Sequence, residues 1–212
     1  DVAPGSLFYR HDLLSRSGQT DADLTASWES FVEAGARIKS ATNARLIGHA
    51  RELKDMVIRS NLGPGEGVYI DREGRVLVDS DRFRRAFELA RQVRAKGLDA
   101  RVLTWSSEWS EGLRRGAVAT QMMGAWFAGH LANWLAPETR GLWRCAQLPD
   151  GAFSAWGGTF YAIPRQAESK SLAWELIKLM TLDERLQVEG FRSQGAFPAL
   201  VAAQQDRFFE EP

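Results

Sequence analysis

Apolar residues recur along much of the chain at helical spacing. Trp28, Phe31, Val32, Gly35 and Ile38 follow Thr25 and Ser27, either of which supplies a hydroxyl N-cap; the pattern predicts an amphipathic helix with Trp28 heading its buried stripe. Leu53, Met56 and Val57 mark a second helix over 52–60. Phe83, Ala86, Phe87, Ala90 and Val93 mark a third, capped by Asp79 or Ser80 and stopped by Gly97. A short helix over 106–115 ends at Gly116, and another holds Phe127, Leu131 and Leu135 and ends before Pro137. Leu172, Ala173, Leu176, Ile177 and Met180 define one more, after which Thr181-Leu182-Asp183-Glu184 reads as a capping box opening a new helix at Leu182.

Strand-like runs lie between these helices, at 7–9, 45–48, 117–123, 142–149 and 159–163, the last closed by Pro164. Residues 68–70 and 76–78 flank Asp71-Arg72-Glu73-Gly74 as a β-hairpin. Residues 10–17 read as polar and turn-like. The segment 61–67, with Gly63, Pro64, Gly65 and Gly67, is a loop; no strand runs into it and no helix opens from it, so its glycine spacing is not a dinucleotide fingerprint. Residues 151–158 form a further loop that ends in Trp156-Gly157-Gly158.

Composition then narrows the function. Among 212 residues, 27 Lys+Arg balance 27 Asp+Glu, so no global field gathers nucleic acid or polyphosphate. The single cysteine, Cys145, excludes a disulfide scaffold and is expected to be a small buried hydrophobe in its strand. His11, His49 and His130 stand far apart and give no zinc spacing. No apolar run reaches the roughly 18 residues that suggest a membrane span. Arg82, Arg84, Arg85, Arg91, Arg94 and Lys96 line one face of the third helix; this is read as a solvated face, the alternative being an interaction domain for an acidic partner.

Tryptophan is abundant: Trp28, Trp105, Trp109, Trp126, Trp134, Trp143, Trp156 and Trp174. Each offers a flat apolar face and one N–H donor, which suits either a core or the C–H face of a sugar ring. Trp126 follows a strand directly and starts a helix, where α/β sheets commonly present ligand-contacting groups. Core packing is the competing role for Trp126 and Trp156. A carbohydrate-active enzyme is the alternative from another class, because Glu108, Glu111 and Asp150 accompany the tryptophans. No motif pairs two of those carboxyls across the about 5–10 Å that a glycosidase needs.

The order of motifs resembles that of the bacterial extracellular solute-binding proteins of family 1, the sugar-binding receptors of ABC importers. Leu7-Phe8-Tyr9-Arg10-His11-Asp12-Leu13-Leu14 is similar to Y-x-K-D-L-F, and Ser27-Trp28-Glu29-Ser30-Phe31 to T-W-D-E-F. Tyr69-Ile70-Asp71-Arg72-Glu73-Gly74-Arg75 resembles the family's D-x-D-G-K hairpin, and Leu113-Arg114-Arg115-Gly116-Ala117-Val118-Ala119 its F-x-x-G-K-A-A-M. Gly124-Ala125-Trp126, Trp156-Gly157-Gly158 and Gly195-Ala196-Phe197-Pro198-Ala199 follow in the family's order.

The resemblance implies an α/β, periplasmic-binding-protein-like (type II) fold with two lobes, here mainly the C-terminal lobe with part of the N-terminal one. Family members are about twice as long, so the chain is expected to begin at the first crossover into the second lobe. Residues 1–155 would then be the C-terminal-lobe segment, 156–190 a segment returning to the N-terminal lobe, and 191–212 the start of the way back. That arrangement would leave Leu172, Leu176 and Ile177 exposed unless the other lobe covers them.

For function, the resemblance implies a binding protein and not an enzyme, with no cofactor and no metal. Its partners would be a carbohydrate, or in other branches a polyamine or polyol phosphate, and the permease subunits of the importer, with no nucleic acid. It would be a monomer in the periplasm or lipid-anchored outside the cell membrane. Residue by residue, Trp126 would be a platform for a sugar ring, and Gly157 and Gly158 would let backbone N–H groups approach the ligand. Trp156 matches a position that faces the cleft in some members. His49, Arg51 and Glu52 lie in the stretch where the family places polar ligand contacts.

Overall fold

The computed structural model describes residues 1–209. Its central strand, β1 (Val2–Arg10), pairs antiparallel with β2 (Thr120–Gly124) on one side and β3 (Trp143–Ala146) on the other, placing Leu7 opposite Met122 and Ala146. β4 (Ala155–Gly158) runs antiparallel to the start of β1, with Val2 opposite Gly158. Two short parallel segments extend the sheet beyond β2. The Arg45 N–H meets the Ala117 carbonyl at 2.8 Å, and the Ala100 N–H meets the Ile47 carbonyl at 3.0 Å.

Alternation along a strand sends neighbouring side chains to opposite faces. Leu7, Tyr9 and Met122 therefore enter one buried cluster, and Phe8 and Met123 another. After α1 (His11–Arg16) and α2 (Asp21–Thr25), the first face is covered by α3 (Trp28–Thr42), α4 (Ala50–Arg59) and α5 (Asp81–Ala95), which contribute Phe31, Ile38, Leu53, Met56, Phe83 and Leu89. The second is covered by α6 (Ser107–Arg114) and α7 (Phe127–His130), through Trp109, Leu113 and Phe127. The result is a helix–sheet–helix sandwich.

Local chemistry sets the helix ends. Ser27 caps α3, its hydroxyl accepting the Ser30 N–H at 2.9 Å while the Ser30 hydroxyl accepts the Ser27 N–H at 2.8 Å. Trp28 is 3% exposed, as its place on the stripe requires. Beyond α7 the chain widens into a π turn over Leu131–Leu135, where the Ala136 N–H reaches back to the Leu131 carbonyl at 3.2 Å before Pro137, which has no N–H, ends the helix.

Several sequence expectations are corrected. Residues 11–16 are helical because Leu13 and Leu14 are buried. The strand expected at 159–163 lies earlier, at Ala155–Gly158, because those residues find the edge of β1; Phe160 is 97% exposed. The expected capping box at Thr181 does not form. The Thr181 hydroxyl donates to the Ile177 carbonyl at 2.7 Å, α8 (Lys170–Leu182) runs on, and Asp183 caps α9 (Glu184–Gln194) by accepting the Leu186 N–H at 2.8 Å. Cys145 is exposed on β3, not buried.

α8 differs from the helices of the sandwich. Among the described residues it buries none, and Leu172 and Leu176 keep 70% and 58% of their surface. α9 is better anchored, through Val188 and through Phe191, whose ring meets those of Phe197 and Phe209 at 5.5 and 5.2 Å. Among the described residues no helix is long and apolar enough to cross a membrane.

Candidate ligand-binding site

The C-terminal ends of β2 and of the segments 45–48 and 98–102 emerge at one edge of the sheet, together with the start of β1 and the whole of β4. Parallel strands end there with their following helices pointing away, which is where open α/β sheets hold ligands. Trp126 stands two residues past β2. Its indole N–H donates to the Trp156 carbonyl at 3.1 Å, which fixes the ring and joins two of the expected site residues. Gly124 makes this approach possible: a Cβ there would press on the Trp126 indole nitrogen and lie 2.8 Å from the Trp156 carbonyl oxygen.

Trp156 packs against both buried clusters, and the Arg59 guanidinium lies 5.2 Å from its ring centroid, within cation–π range. Gly157 and Gly158 adopt φ of 98° and 113°, a region that L side chains avoid, and they line a groove of about 460 Å³ with Val2, Phe160, Ile177 and Met180.

The other expected residues divide. Glu52 lies within α4 with its carboxyl enclosed: Oε1 accepts the Thr104 hydroxyl at 2.9 Å and Oε2 accepts the Gln121 amide at 3.2 Å. Gln121 in turn accepts the Trp109 indole N–H at 2.8 Å. Burial pushes the Glu52 carboxyl up to about 7, against hydrogen bonds that favour its charged form. His49 instead faces Arg94. Its Nδ1 accepts the Arg51 N–H at 3.1 Å and its Nε2 lies 3.3 Å from an Arg94 nitrogen; a neutral ring accepts at one nitrogen only, so the two contacts compete. Burial and the Arg94 charge push the imidazole below its ordinary range. Arg94 also pairs with the fully buried Asp99 at 2.7 Å. Arg51 is exposed.

Sequence reasoning missed Trp105. Its indole rests on a bed of rings, with centroids 6.1 Å from Trp126, 6.2 Å from Trp134, 6.0 Å from His130 and 5.2 Å from Trp109, while 51% of its surface stays open. The Trp105–Trp126 and Trp105–Trp134 planes are within 13° and 18° of parallel. The spacing Trp126, His130, Trp134 at i, i+4 and i+8 on one helix face was a usable signal for the bed. Nothing periodic marks Trp105 itself.

Groups named for other functions are engaged elsewhere. Asp150 accepts from Arg85 at 3.1 Å, and Glu111 pairs with Arg115 and, at 3.9 Å, with Arg114. On the basic helix, Arg82 pairs with Glu66, Arg84 with Asp81, Arg91 with Glu88 and Arg94 with Asp99, so its positive face is largely neutralised in place. Among the described residues no group of three or more His, Cys, Asp or Glu is placed to hold a metal ion.

The family model of the bacterial extracellular solute-binding proteins matches residues 2–212. No curated protein matches the chain in sequence. Among solved structures, a protein described as extracellular solute-binding protein family 1 is 26% identical with a TM-score of 0.78, covering 98% of this chain and 53% of its own. The ABC transporter associated binding protein of B. animalis subsp. lactis, solved with beta-1,6-galactobiose, is 20% identical (TM-score 0.75), covering 99% of this chain and 52% of its own. The sugar-binding protein MalE of Xanthomonas citri is 17% identical (TM-score 0.70), covering 99% and 54%. The last two show likeness of fold alone, and this chain spans about half the length of all three. They are binding proteins rather than enzymes, and their periplasmic-binding-protein-like architecture is the one found here. The chain belongs to the bacterial extracellular solute-binding protein family.

Proposed function

We propose that this chain forms most of the second lobe of a carbohydrate receptor serving a bacterial ABC importer. The observation that carries the reading is Trp126. Its N–H is spent on the Trp156 carbonyl, and Trp105 and His130 lie on part of the ring, so what the half-buried indole has left to offer a ligand is the remainder of its flat face, at the strand edge where ligands are held. Apolar stacking there and hydrogen bonds from Arg51, the Gly157-Gly158 backbone and nearby polar groups would divide packing from orientation. Proteins of this fold have been solved in complex with beta-1,6-galactobiose, alpha-D-tagatose and acarbose, which supports a sugar as the ligand.

In this reading residues 1–155 belong to the second lobe, 156–190 cross to a first lobe, and 191–212 begin the return. The first lobe covers Leu172 and Leu176 of α8. Ligand closes the lobes, and the closed monomer docks on the permease outside the membrane, free in the periplasm or held by a lipid. The test is calorimetric titration of the full receptor with D-tagatose, beta-1,6-galactobiose and acarbose, with spermidine and a polyol phosphate as controls. Binding of a sugar, weakened at least about tenfold by Trp126→Ala, is the expected result. A receptor that ignores all three sugars and takes a control has a different solute, and unchanged affinity in Trp126→Ala removes that residue from the site.

A further inference from the structure

We propose that the cavity between β3 and the π turn over Leu131–Leu135 is a second ligand site, for a small aromatic carboxylate of phenylacetate size. It shares no residue with the Trp126–Trp156 edge and does not depend on the carbohydrate reading.

The cavity holds about 200 Å³ and lies on the face of the sheet that α6 and α7 cover. Phe8 of β1 and Cys145 of β3 are cross-strand partners, so their side chains share that face, and Ala128, Leu131 and Trp143 wall the space around them. The polar groups of the interior are tied to one another. The Trp143 indole N–H donates to the Thr139 hydroxyl at 2.9 Å, and that hydroxyl donates to the Ala136 carbonyl at 2.7 Å. Neighbouring groups also desolvate the Cys145 thiol and push it above its ordinary range, so at neutral pH that wall carries no charge. An interior of this kind disfavours a sugar ring, whose hydroxyls would lose water without compensation. An apolar cavity of about 150 Å³ takes benzene, so the body that fits here is one six-membered ring with a short substituent.

Charge supplies the rest of the ligand. Arg140 and Arg144 complete the lining, and no carboxylate belongs to it. Arg144 is turned onto the Gly141 and Trp143 carbonyls, at 2.8 Å each. The exposed Arg140 side chain makes no ion pair or hydrogen bond among the described residues. By contrast Arg82, Arg84, Arg91 and Arg94 of α5 each face a carboxylate. Two guanidinium groups without an acidic partner, beside an apolar space, match a ligand with an apolar body and one negative charge, and the planar guanidinium fork suits a carboxylate. The backbone points the same way. Leu131 and Ala132 both line the cavity and belong to the π turn, a rare geometry that recurs at functional sites.

The experiment titrates the full receptor calorimetrically with phenylacetate, with 2-phenylethanol, which keeps the ring and lacks the charge, and with acetate, which keeps the charge and lacks the ring. The expected result is saturable one-to-one binding of phenylacetate, with both controls weaker by about fivefold or more. Arg140→Gln weakens phenylacetate by about fivefold, the upper range for an exposed ion pair, and leaves 2-phenylethanol unchanged. Ala132→Leu fills the space and abolishes phenylacetate binding, while any sugar affinity stays at the wild-type value. Cys145, the single cysteine of the chain, reports on the cavity directly. Its alkylation by iodoacetamide, followed by mass spectrometry of its peptide, should slow roughly tenfold at phenylacetate concentrations ten times the dissociation constant. Absence of saturable binding, or binding that leaves Cys145 alkylation unchanged, overturns the site. Equal affinity for 2-phenylethanol, or no loss in Arg140→Gln, overturns the carboxylate. Should Ala132→Leu fail to fold, the Arg140→Gln and Cys145 measurements still decide.

Discussion

Trp28, Phe31, Val32 and Ile38 of α3 are each no more than 3% exposed, whereas Leu172, Leu176 and Leu179 of α8 keep 70%, 58% and 50% of their surface. Both helices carry apolar residues at helical spacing, and both follow a serine. The sequence of α3 meets its partners within the chain, where α4, α5 and the sheet complete a single cluster. Among the described residues α8 packs chiefly against α9 and lines the Gly157-Gly158 groove, with its leucines open to water. A stripe therefore states that a helix is to be covered, without stating by what. In the receptor reading the missing cover is the first lobe, and the comparison can be broken by measurements on each side of it.

The largest effect should come from the covered helix. Phe31→Ala removes a fully buried ring and leaves a cavity, for an expected loss of about 3–5 kcal/mol in urea unfolding. Leu176→Ala in this same chain should stay within about 0.5 kcal/mol, because the side chain loses little that it has. A large loss at Leu176 would mean that α8 is packed in solution as it is not here.

The interior of the sandwich should also announce itself in pH. Glu52 titrates near 7 when folded, above its ordinary 4.5, so between those values the folded chain holds a proton that the unfolded chain has released. Stability should then fall as pH rises from about 4.5 through 7, by on the order of 3 kcal/mol. Glu52→Gln removes the titrating group, and its unfolding free energy should lose this slope. Parallel slopes for the two proteins between pH 5 and pH 8 would show that the carboxyl is better hydrated than its enclosure implies.

A smaller effect is expected at the ligand edge. Gly124→Ala forces a methyl group between the Trp126 indole nitrogen and the Trp156 carbonyl, with an overpacking cost of about 1–3 kcal/mol. Tryptophan emission should shift as the Trp126 N–H loses its partner. Wild-type emission with a small stability change would show that the edge yields without breaking that bond.

Legibility follows the same divide. The helices of the sandwich could be read because periodicity and burial largely agree: Phe83, Ala86 and Val93 are buried as their spacing requires, although Phe87 of the same stripe is 58% exposed, and Ser27 caps where a hydroxyl precedes the stripe. β4 could not be read, because Ala155-Trp156-Gly157-Gly158 has loop composition and becomes a strand only by pairing with the start of β1. The end of α8 was misplaced because Thr181 and Asp183 both carry capping chemistry, and only the fold decides that the hydroxyl turns back to Ile177. At the site, Trp126 was marked by its place between a strand and a helix. Trp105 was not, because the rings that seat it come from α6 and α7 and its own segment has no period.

The finest test of the comparison sets two serines against each other. Ser27 and Ser169 both stand at the N-cap of a helix, but the Ser27 hydroxyl accepts the Ser30 N–H, whereas Ser169 makes no capping bond and has φ −104° and ψ 57°. Ser27→Ala should therefore cost about 1 kcal/mol, the ordinary worth of a cap, and Ser169→Ala close to nothing. The pair tests whether local capping is completed where tertiary cover is completed. Equal losses at the two serines would mean that α8 forms its cap in solution without any cover, and that its exposure is a stable surface of the protein. A loss at Ser169 that appears only when the first lobe is present would mean that cap and cover form together.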